Sequence, residues 1–284
     1  MIRMELIQVD QEKCIQCGLC ANVCPTGVIA LDSRQTPYVV KQYCIACLAC
    51  GHCVAVCPQG ALDHVKTPLA SQMPLKNTTV PDAATAYQFL RSRRSIRNYQ
   101  AKAVPREEIL KLLDIARFAP TASNSQGIAY HVIDDPHTLN AITSASFKWV
   151  EEQIKTAAPG TPHLAEMVLL ADNYRQNGKN VVLQNAPCLI VAVTDQNFFA
   201  VGRDNAHFSL TYVELYAPSL GLGTCWAGII EYASASGYKP LLELLNLPDN
   251  MCVAGALVAG YPQYRYKRLV GRDPLQVTWQ CTPN

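Results

Sequence analysis

The most constraining feature of the chain is a run of four cysteines that occurs twice. In each run two residues separate the first three cysteines, three residues precede the fourth, and a proline follows. The runs consist of Cys14, Cys17, Cys20 and Cys24, and of Cys47, Cys50, Cys53 and Cys57. Each cysteine of the second run lies 33 residues after its counterpart, and Gly27 and Gly60 keep the same offset. The sequence therefore predicts an internal duplication of one small unit.

The spacing within each run is typical of iron–sulfur ligands. Three cysteines two residues apart, a fourth three residues on and a proline form the bacterial ligand pattern for [4Fe–4S] clusters. Nine of the 13 cysteines precede residue 58. Because such clusters need thiolates and not disulfides, the pattern predicts a reducing, cytoplasmic setting and one-electron chemistry.

Cys44 offers an alternative ligand, since it precedes Cys47 by the same two-residue gap. The run that begins at Cys47 alone supplies the three-residue gap, the proline and the match to the first run. We therefore predict that Cys44 is a thiol that packs near the cluster without binding it. His52, which lies between two predicted ligands, is expected to be a neighbour of the cluster.

Length and composition indicate a folded protein with two domains. The chain has 284 residues, of which 49% are hydrophobic and 16% charged, with a net charge of +2. That charge is too small to predict binding to nucleic acid or to a membrane surface. No apolar stretch approaches the ~20 residues of a spanning helix, and the first residues lack a signal-peptide core. We predict a cysteine-rich domain over residues 1–66, a proline-containing linker over 67–82 and a larger domain over 83–284.

The larger domain alternates helical and strand patterns. Pro105 is expected to open a helix whose apolar positions recur at helical spacing, and strands are predicted over residues 129–133, 188–194 and 251–260. Asp204 is the predicted N-cap of a helix that runs to Leu220 and is closed by Gly221 and Gly223. The pattern predicts an α+β fold with helices around a mixed sheet.

Three segments of this domain have the composition of a binding site. Residues 91–97 hold four arginines and two serines, which suits an anion cradle but also an ordinary solvated face. Residues 119–126 are rich in small polar side chains, as many loops are. Residues 221–228 are rich in glycine but lack the spacing of a Rossmann motif, and they could simply end a helix.

Taken together, the motifs RRSIRNY at 93–99, APTASNSQ at 119–126 and GLGTCWAG at 221–228 resemble the nitroreductase family of FMN enzymes. The resemblance covers residues 83–284, whereas residues 1–66 resemble a bacterial two-cluster ferredoxin. These likenesses imply a nitroreductase-like mixed-sheet α/β sandwich, preceded by a small ferredoxin-like domain with two [4Fe–4S] clusters.

Both resemblances imply specific residues. In two-cluster ferredoxins the fourth cysteine of each run ligates the other cluster. One cluster would therefore be bound by Cys14, Cys17, Cys20 and Cys57, and the other by Cys47, Cys50, Cys53 and Cys24.

For FMN, the family implies contacts from both subunits of a homodimer. Arg93, Arg94 and Ser95 would hold the phosphate and ribityl region, and Arg97 would reach the pyrimidine edge. Pro120, Thr121, Ala122 and Asn124 would contact the flavin of the partner subunit. The flavin face and N5 side would be lined by Thr224, Cys225, Trp226 and Gly228. Further phosphate cations would be Arg268 and Arg272.

These predictions lead to an FMN-dependent reductase. Electrons would pass from the two clusters through FMN to a small nitro, quinone, enone or halogenated acceptor, with a ferredoxin or another low-potential donor upstream. One alternative is an electron-carrier or redox-sensing subunit that serves a protein partner. Another is direct reduction of the flavin by NAD(P)H. The sequence assigns no catalytic residue.

Overall fold

A computed structural model describes residues 6–75, 80–158 and 160–280, and the chain divides into two compact units. The first unit is Met1–Val80 with Thr121–Ser125, and the second is Pro81–Pro120 with Gln126–Asn284. Part of the predicted linker, residues 76–79, lies outside the described residues. The predicted division into a domain over residues 1–66, a linker over 67–82 and a domain over 83–284 stays a prediction.

The first unit contains short strands and two one-turn helices. In chain order these are β1 (Ile7–Val9), α1 (Leu19–Asn22), β2 (Ile29–Leu31), β3 (Pro37–Val39), α2 (His52–Ala55) and β4 (Leu62–His64). β1 pairs with β4 and β2 with β3, both antiparallel. A small core of residues such as Ile7, Ile29 and Val54 lies between them. α2 and β4 follow α1 and β2 by 33 residues, so the fold repeats the duplication that the sequence predicts.

The duplication extends to the backbone conformation. Gly18 and Gly51 stand at the N-termini of α1 and α2 with φ of 73° and 72°. Glycine adopts this left-handed conformation without the steric cost that a Cβ would impose. The same turn therefore begins the short helix that carries the third cysteine of each run.

The chain beyond β4 folds back onto this unit. A 3₁₀ turn over Leu69–Ser71 follows β4, and the Asp63 carboxylate accepts hydrogen bonds from the backbone N–H groups of His64 and Leu69 at 2.8 and 2.7 Å. Asp63 thereby fixes the backbone on both sides of the end of β4.

The second unit consists of a four-stranded sheet and its helices. Its elements are α3 (Ala83–Ser92), α4 (Arg106–Ala116), β5 (Ala129–Ile133), α5 (Pro136–Thr156), α6 (Leu164–Asn177), β6 (Cys188–Asp195), α7 (Phe199–Tyr216), β7 (Gly223–Trp226), α8 (Gly228–Ala235), α9 (Lys239–Leu245) and β8 (Met251–Gly260). The helix after Pro105 and the strands at 129–133, 188–194 and 251–260 are confirmed.

The strand order in the sheet is β5-β6-β8-β7. Every pairing between these described strands is antiparallel, and the parallel component is a single bridge between Ser95 and Thr224. β6 and β8 form the centre, and β7 lies beside β8 with Gly223 opposite Gly260. The predicted α+β arrangement of helices around a sheet is confirmed.

Alternation along β6 distributes its side chains to two helical layers, because successive residues of a strand point to opposite faces. One face packs with α5, α8 and α9 through residues that include Leu189, Val191, Ile142, Ile230 and Leu241. The other face packs with α4 and α7 through residues that include Ile190, Ala192, Leu112, Leu210 and Val213. The sheet is therefore covered on both faces.

The predicted N-cap at Asp204 is wrong. α7 begins at Phe199, so Asp204 lies inside the helix. The upstream acidic residue Asp195 instead caps a 3₁₀ turn over Gln196–Phe198, which leads directly into α7. The far end is closer to expectation, since a 3₁₀ turn over Ala217–Leu220 ends at Gly221 with φ of 69°, whereas Gly223 belongs to β7.

In the part of the chain that the structure describes, no helix combines the length and apolar character that crossing a bilayer requires.

Candidate functional site

The first unit contains two clefts, each lined by four of the predicted ligand thiols. The first cleft is lined by Cys24, Cys47, Cys50 and Cys53. The second is lined by Cys14, Cys17, Cys20 and Cys57. The structure thus brings together three thiols of one run and the fourth thiol of the other run in each cleft.

The surroundings of these thiols differ in polarity. Burial raises the pKa of the Cys53 thiol to about 11. Burial also acts to raise the pKa of Cys24, but hydrogen bonds from the backbone N–H groups of Ile29, Thr26 and Val28 outweigh it and lower that pKa. The backbone around Cys24 is therefore arranged to donate to a sulfur that carries negative charge.

Such a donor set suits a polynuclear iron–sulfur cluster. Among the described residues, no three His, Cys, Asp or Glu side chains converge on a point where they could hold a single metal ion. The four thiols in each cleft surround a larger volume, and thiolate sulfurs are the usual ligands of [4Fe–4S] clusters. The residues present therefore fit two clusters of this kind.

Cys44 lies outside the lining of both clefts, although its backbone oxygen accepts a hydrogen bond from the N–H of Cys47 at 3.2 Å. It belongs to a 3₁₀ turn over Lys41–Ala46, and its Sγ lies 3.9 Å from the backbone oxygen of Val40. The residues that line the two clefts include His52 but not Cys44. A position outside both linings suits a thiol that does not bind a cluster, and the roles of Cys44 and His52 stay predictions.

His64 is a neighbour of the thiols that the sequence analysis missed. Its side chain is buried, and its Nε2 lies 3.4 Å from Cys47 Sγ. Burial lowers the pKa of His64, which favours the neutral ring. The signal in the sequence was the position of His64 two residues after Leu62, on the same face of β4.

The segment Thr121–Ser125 belongs to the first unit and contains Thr121, Ala122 and Asn124, which are predicted to contact FMN, whereas Pro120 belongs to the second unit. The Asn124 side chain donates from Nδ2 to the backbone oxygens of Leu48 and Ala49, both at 3.0 Å. Leu48 and Ala49 are the two residues between Cys47 and Cys50. The predicted flavin loop is therefore anchored on the backbone between two predicted cluster ligands.

Residues 93–97 lie along β7 in the second unit. The backbone N–H of Ile96 donates to the oxygen of Thr224 at 2.8 Å, beside the Ser95–Thr224 bridge. Burial raises the pKa of the Cys225 thiol, against the positive charge of Arg97 and a hydrogen bond with Ser95. The structure thus brings Ser95 and Arg97 together with Thr224 and Cys225, as their predicted common role requires.

A buried carboxylate connects two further predicted residues. Glu214 is 5% exposed, and its Oε1 accepts a hydrogen bond from Arg93 Nη1 at 3.2 Å. Its Oε2 accepts one from Trp226 Nε1 at 2.8 Å. Glu214 therefore holds Arg93 against the end of β7, an arrangement that the sequence did not reveal.

The C-terminal basic segment is attached to the arginine segment by hydrogen bonds. Arg94 Nη2 donates to the backbone oxygen of Arg268 at 2.8 Å, and its guanidinium lies 4.3 Å from the centre of the Tyr266 ring. Arg91 Nη2 donates to the oxygen of Val270. The side chains of Arg268 and Arg272 are exposed, and Arg272 donates to the oxygen of Gly271. The roles of both in phosphate binding stay predictions.

His207 and Glu231 form a second polar pair beside Trp226. His207 Nε2 lies 3.2 Å from Glu231 Oε2, and the imidazole meets the Trp226 ring edge-on with centres 4.9 Å apart. The other oxygen of Glu231 accepts from the backbone N–H of Ala256 at 3.2 Å. Trp226 is therefore held by Glu214 on α7 and packed against a His–Glu pair.

Gly223 permits the close approach of residues 93–97 to β7. A Cβ at this position would lie 2.9 Å from Ile96 Cβ and 3.0 Å from Pro262 Cγ. We expect Gly223→Ala to lower the free energy of unfolding of the second unit by about 1–3 kcal/mol, because overpacking forces the segment off the strand. Denaturant unfolding measures the change. Gly228→Ala, whose added Cβ would meet nothing closer than Tyr232 at 3.9 Å, is the control. Equal stability of the two variants would contradict the prediction.

Comparison with protein families agrees with these features. Residues 90–261, more than half of the chain, match the nitroreductase family model. Residues 13–61 match the model of the 4Fe-4S dicluster domain, a range that contains all eight predicted ligand cysteines.

Individual relatives and solved structures are similar over the second unit. An NADH dehydrogenase of Thermus thermophilus is 27% identical over 194 residues, which are 64% of this chain and 88% of that protein. An iodotyrosine deiodinase of Thermotoga neapolitana is 21% identical over 179 residues, 62% of this chain and 88% of that protein. A nitroreductase with bound FMN from Desulfitobacterium hafniense superposes with a TM-score of 0.54 at 17% identity, over 68% of this chain and 97% of that chain.

The extent of the family match and the shared fold lead to one conclusion. The chain belongs to the nitroreductase family of oxidoreductases and carries a 4Fe-4S dicluster domain in residues 13–61.

Proposed function

We propose that the protein is an FMN-dependent reductase that passes electrons from two [4Fe–4S] clusters to a small organic acceptor. The Cys14 cluster is the one on Cys14, Cys17, Cys20 and Cys57. The Cys47 cluster is the one on Cys47, Cys50, Cys53 and Cys24. The electron donor is a ferredoxin or another low-potential one-electron donor, and the protein acts as a homodimer.

The observation that carries this proposal is the position of Thr121–Ser125. This segment has the composition of the family's flavin loop, yet it is part of the cluster-bearing unit. The two hydrogen bonds of Asn124 fix it to the backbone between Cys47 and Cys50. The proposed flavin loop is therefore hydrogen-bonded directly to the backbone that joins two ligands of the Cys47 cluster.

The residues of the second unit fit the binding of a flavin phosphate and ring. Arg93, Arg94 and Ser95 form a cluster of guanidinium and hydroxyl donors, whose chemistry suits a phosphate. Arg97 would supply a positive charge for the negative charge of a reduced flavin. Thr224 and Cys225 on β7 offer backbone groups toward the ring. FMN, when bound, accepts electrons singly and delivers them in pairs, which joins one-electron donors to two-electron reductions.

The acceptor is proposed to be a nitro, quinone, enone or halogenated compound. Similar proteins include a nitroreductase with bound FMN and an iodotyrosine deiodinase, whose names indicate nitro and halogenated substrates. Aromatic members of both substrate classes are flat, so both suit stacking on a flavin.

An anaerobic assay with reduced bacterial ferredoxin as the donor tests the proposal. The full-length protein, loaded with clusters and FMN, should reduce nitro or halogenated acceptors without any other partner. Cys47→Ala should lower this rate at least about tenfold, whereas reduction of acceptor by photoreduced flavin should persist in the same variant. Cys44→Ala, which alters a thiol outside both clefts, is the matched control.

Other results would support the alternatives. Failure to reduce any acceptor unless a second protein is added would favour an electron-carrier or sensor subunit. NADH or NADPH that reduces the flavin equally fast in wild type and in Cys47→Ala would favour direct hydride transfer, as the similarity to an NADH dehydrogenase suggests. The first result would overturn the proposed small-molecule acceptor, and the second would overturn the proposed role of the clusters.

A further inference from the structure

The two cluster sites are not equivalent, although their backbones are repeated. The backbone N–H of Ala61 donates to Cys57 Sγ at 3.2 Å. The backbone N–H of Val28, 33 residues earlier, donates to Cys24. Each cluster therefore receives the same main-chain hydrogen bond on its crossing cysteine. Cys24 also accepts hydrogen bonds from the backbone N–H groups of Thr26 and Ile29. Side chains add a further difference between the two sites.

Among the described residues, two side chains lie within hydrogen-bonding distance of a predicted ligand sulfur, and both do so at the Cys47 cluster. His64 Nε2 lies 3.4 Å from Cys47 Sγ, and Thr26 Oγ1 lies 3.9 Å from Cys24 Sγ. The position that corresponds to His64 in the other half is Leu31, which has no polar side-chain atom. Gln59 corresponds to Thr26 and lines the other cleft, but in the described part of the chain it does not hydrogen-bond to Cys57.

The direction of the His64 hydrogen bond follows from its second ring nitrogen. The backbone N–H of Lys66 donates to His64 Nδ1 at 3.1 Å, so Nδ1 acts as an acceptor and carries no proton. The single proton of a neutral imidazole then resides on Nε2. His64 therefore donates to Cys47 Sγ.

The protein holds this donor firmly in a dry environment. His64 is 3% exposed and lies opposite Ile7 in the pairing of β4 with β1. The Asp63 carboxylate binds the backbone N–H of His64. A hydrogen bond in such a low-dielectric interior is stronger than one in water.

We propose that His64 raises the reduction potential of the Cys47 cluster above that of the Cys14 cluster, so that an electron entering the unit comes to rest on the Cys47 cluster. A hydrogen bond to a ligand sulfur stabilises the more negative, reduced cluster, and such bonds are one determinant of cluster potential. In the transfer, one electron leaves the reduced Cys14 cluster and reduces the oxidised Cys47 cluster. No bond forms or breaks, and no proton moves.

The difference in reduction potential between the two clusters has a consequence for the route of electrons to the flavin. That route, unlike the difference in potential, rests on the proposed function. The Cys47–Cys50 loop is the one that Asn124 of the proposed flavin loop binds. Electrons would therefore collect on the cluster whose ligand loop is hydrogen-bonded to the proposed flavin loop. The difference in potential itself does not depend on any flavin or acceptor.

A potentiometric titration of the full-length protein, followed by EPR, measures both clusters without turnover. The wild type should give two one-electron steps. In His64→Leu, which copies Leu31 of the other half, the higher step should move to lower potential while the lower step stays in place. At a fixed potential the ratio of reduced to oxidised Cys47 cluster should fall about tenfold, which corresponds to ~59 mV for one electron.

Two further variants make the result decisive. His64→Gln keeps an N–H donor and should lie between wild type and His64→Leu, and it replaces the leucine variant if that protein fails to retain its clusters. His52→Leu removes an imidazole from the wall of the same cleft without removing a sulfur hydrogen bond, and should shift the ratio by less than about twofold. Unchanged steps in both His64 variants, or equal shifts of both steps, would overturn the proposal. A higher step that moves without any change in ferredoxin-driven turnover would leave the tuning intact and contradict only the electron route.

Discussion

Replacement of Cys47 by alanine is expected to remove at least about half of the bound iron and acid-labile sulfide, because one of two clusters loses a ligand. Cys44→Ala is expected to retain both at the wild-type level. The two thiols are three residues apart, yet only Cys47 lines a cleft with three other predicted ligands. Quantification of iron and sulfide in the two purified variants measures the difference.

The loss can exceed one cluster, because each cleft takes its fourth thiol from the other run. Cys24 and Cys57 join the two halves, and in small metal-binding domains the binding energy of the metal is folding energy. All three tryptophans belong to the second unit, so their fluorescence shows whether that unit remains folded in the variant. Loss of iron in Cys44→Ala together with its retention in Cys47→Ala would mean that the second ligand run begins at Cys44.

Glu214→Ala is expected to lower the free energy of unfolding of the second unit by about 2–4 kcal/mol. The change leaves the partly buried Trp226 N–H without its acceptor and Arg93 without its carboxylate partner. The estimate lies below that of a fully buried ion pair because the Arg93 side chain is 28% exposed. Denaturant unfolding followed by tryptophan fluorescence reports on this unit alone.

Glu243→Ala is the matched control for this variant. Glu243 lies on the exposed face of α9, where a change of the same kind should alter stability by no more than about 0.5 kcal/mol. If Glu214→Ala is as stable as Glu243→Ala, the carboxylate does not hold Arg93 and Trp226 in place.

Features that depend on local spacing were predictable from the sequence. The two cysteine runs repeat at a 33-residue offset, so the duplication was predictable, and the structure repeats it in α1 and α2. The strands at 129–133 and 251–260 also agree with the structure, because continuous apolar runs bounded by turn residues indicate buried strands. The match of residues 93–99, 119–126 and 221–228 to one family identified the fold of the second unit.

Contacts between distant residues were not predictable in this way. Asn124 binds backbone groups about 75 residues away, and Arg93 meets Glu214 across 121 residues. Glu214 is an acidic residue within a helix and does not differ in the sequence from a surface residue. The position of His64 two residues after Leu62 indicates the buried face of β4 but does not reveal the contact with Cys47. Asp204 was wrongly predicted to be an N-cap because its residue type suits a cap whether or not the helix has already begun. The helix in fact begins at Phe199, directly after the 3₁₀ turn over Gln196–Phe198.

The most direct test of electron flow through the clusters is the amount of product that the protein forms after it has been reduced once and freed of reductant. The protein, fully reduced and then separated from reductant under anaerobic conditions, is mixed with excess nitro acceptor. If both clusters supply the flavin, each chain should form about two equivalents of two-electron product, one from FMN and one from the pair of clusters. A yield of about one equivalent, with the clusters still reduced, would contradict the account.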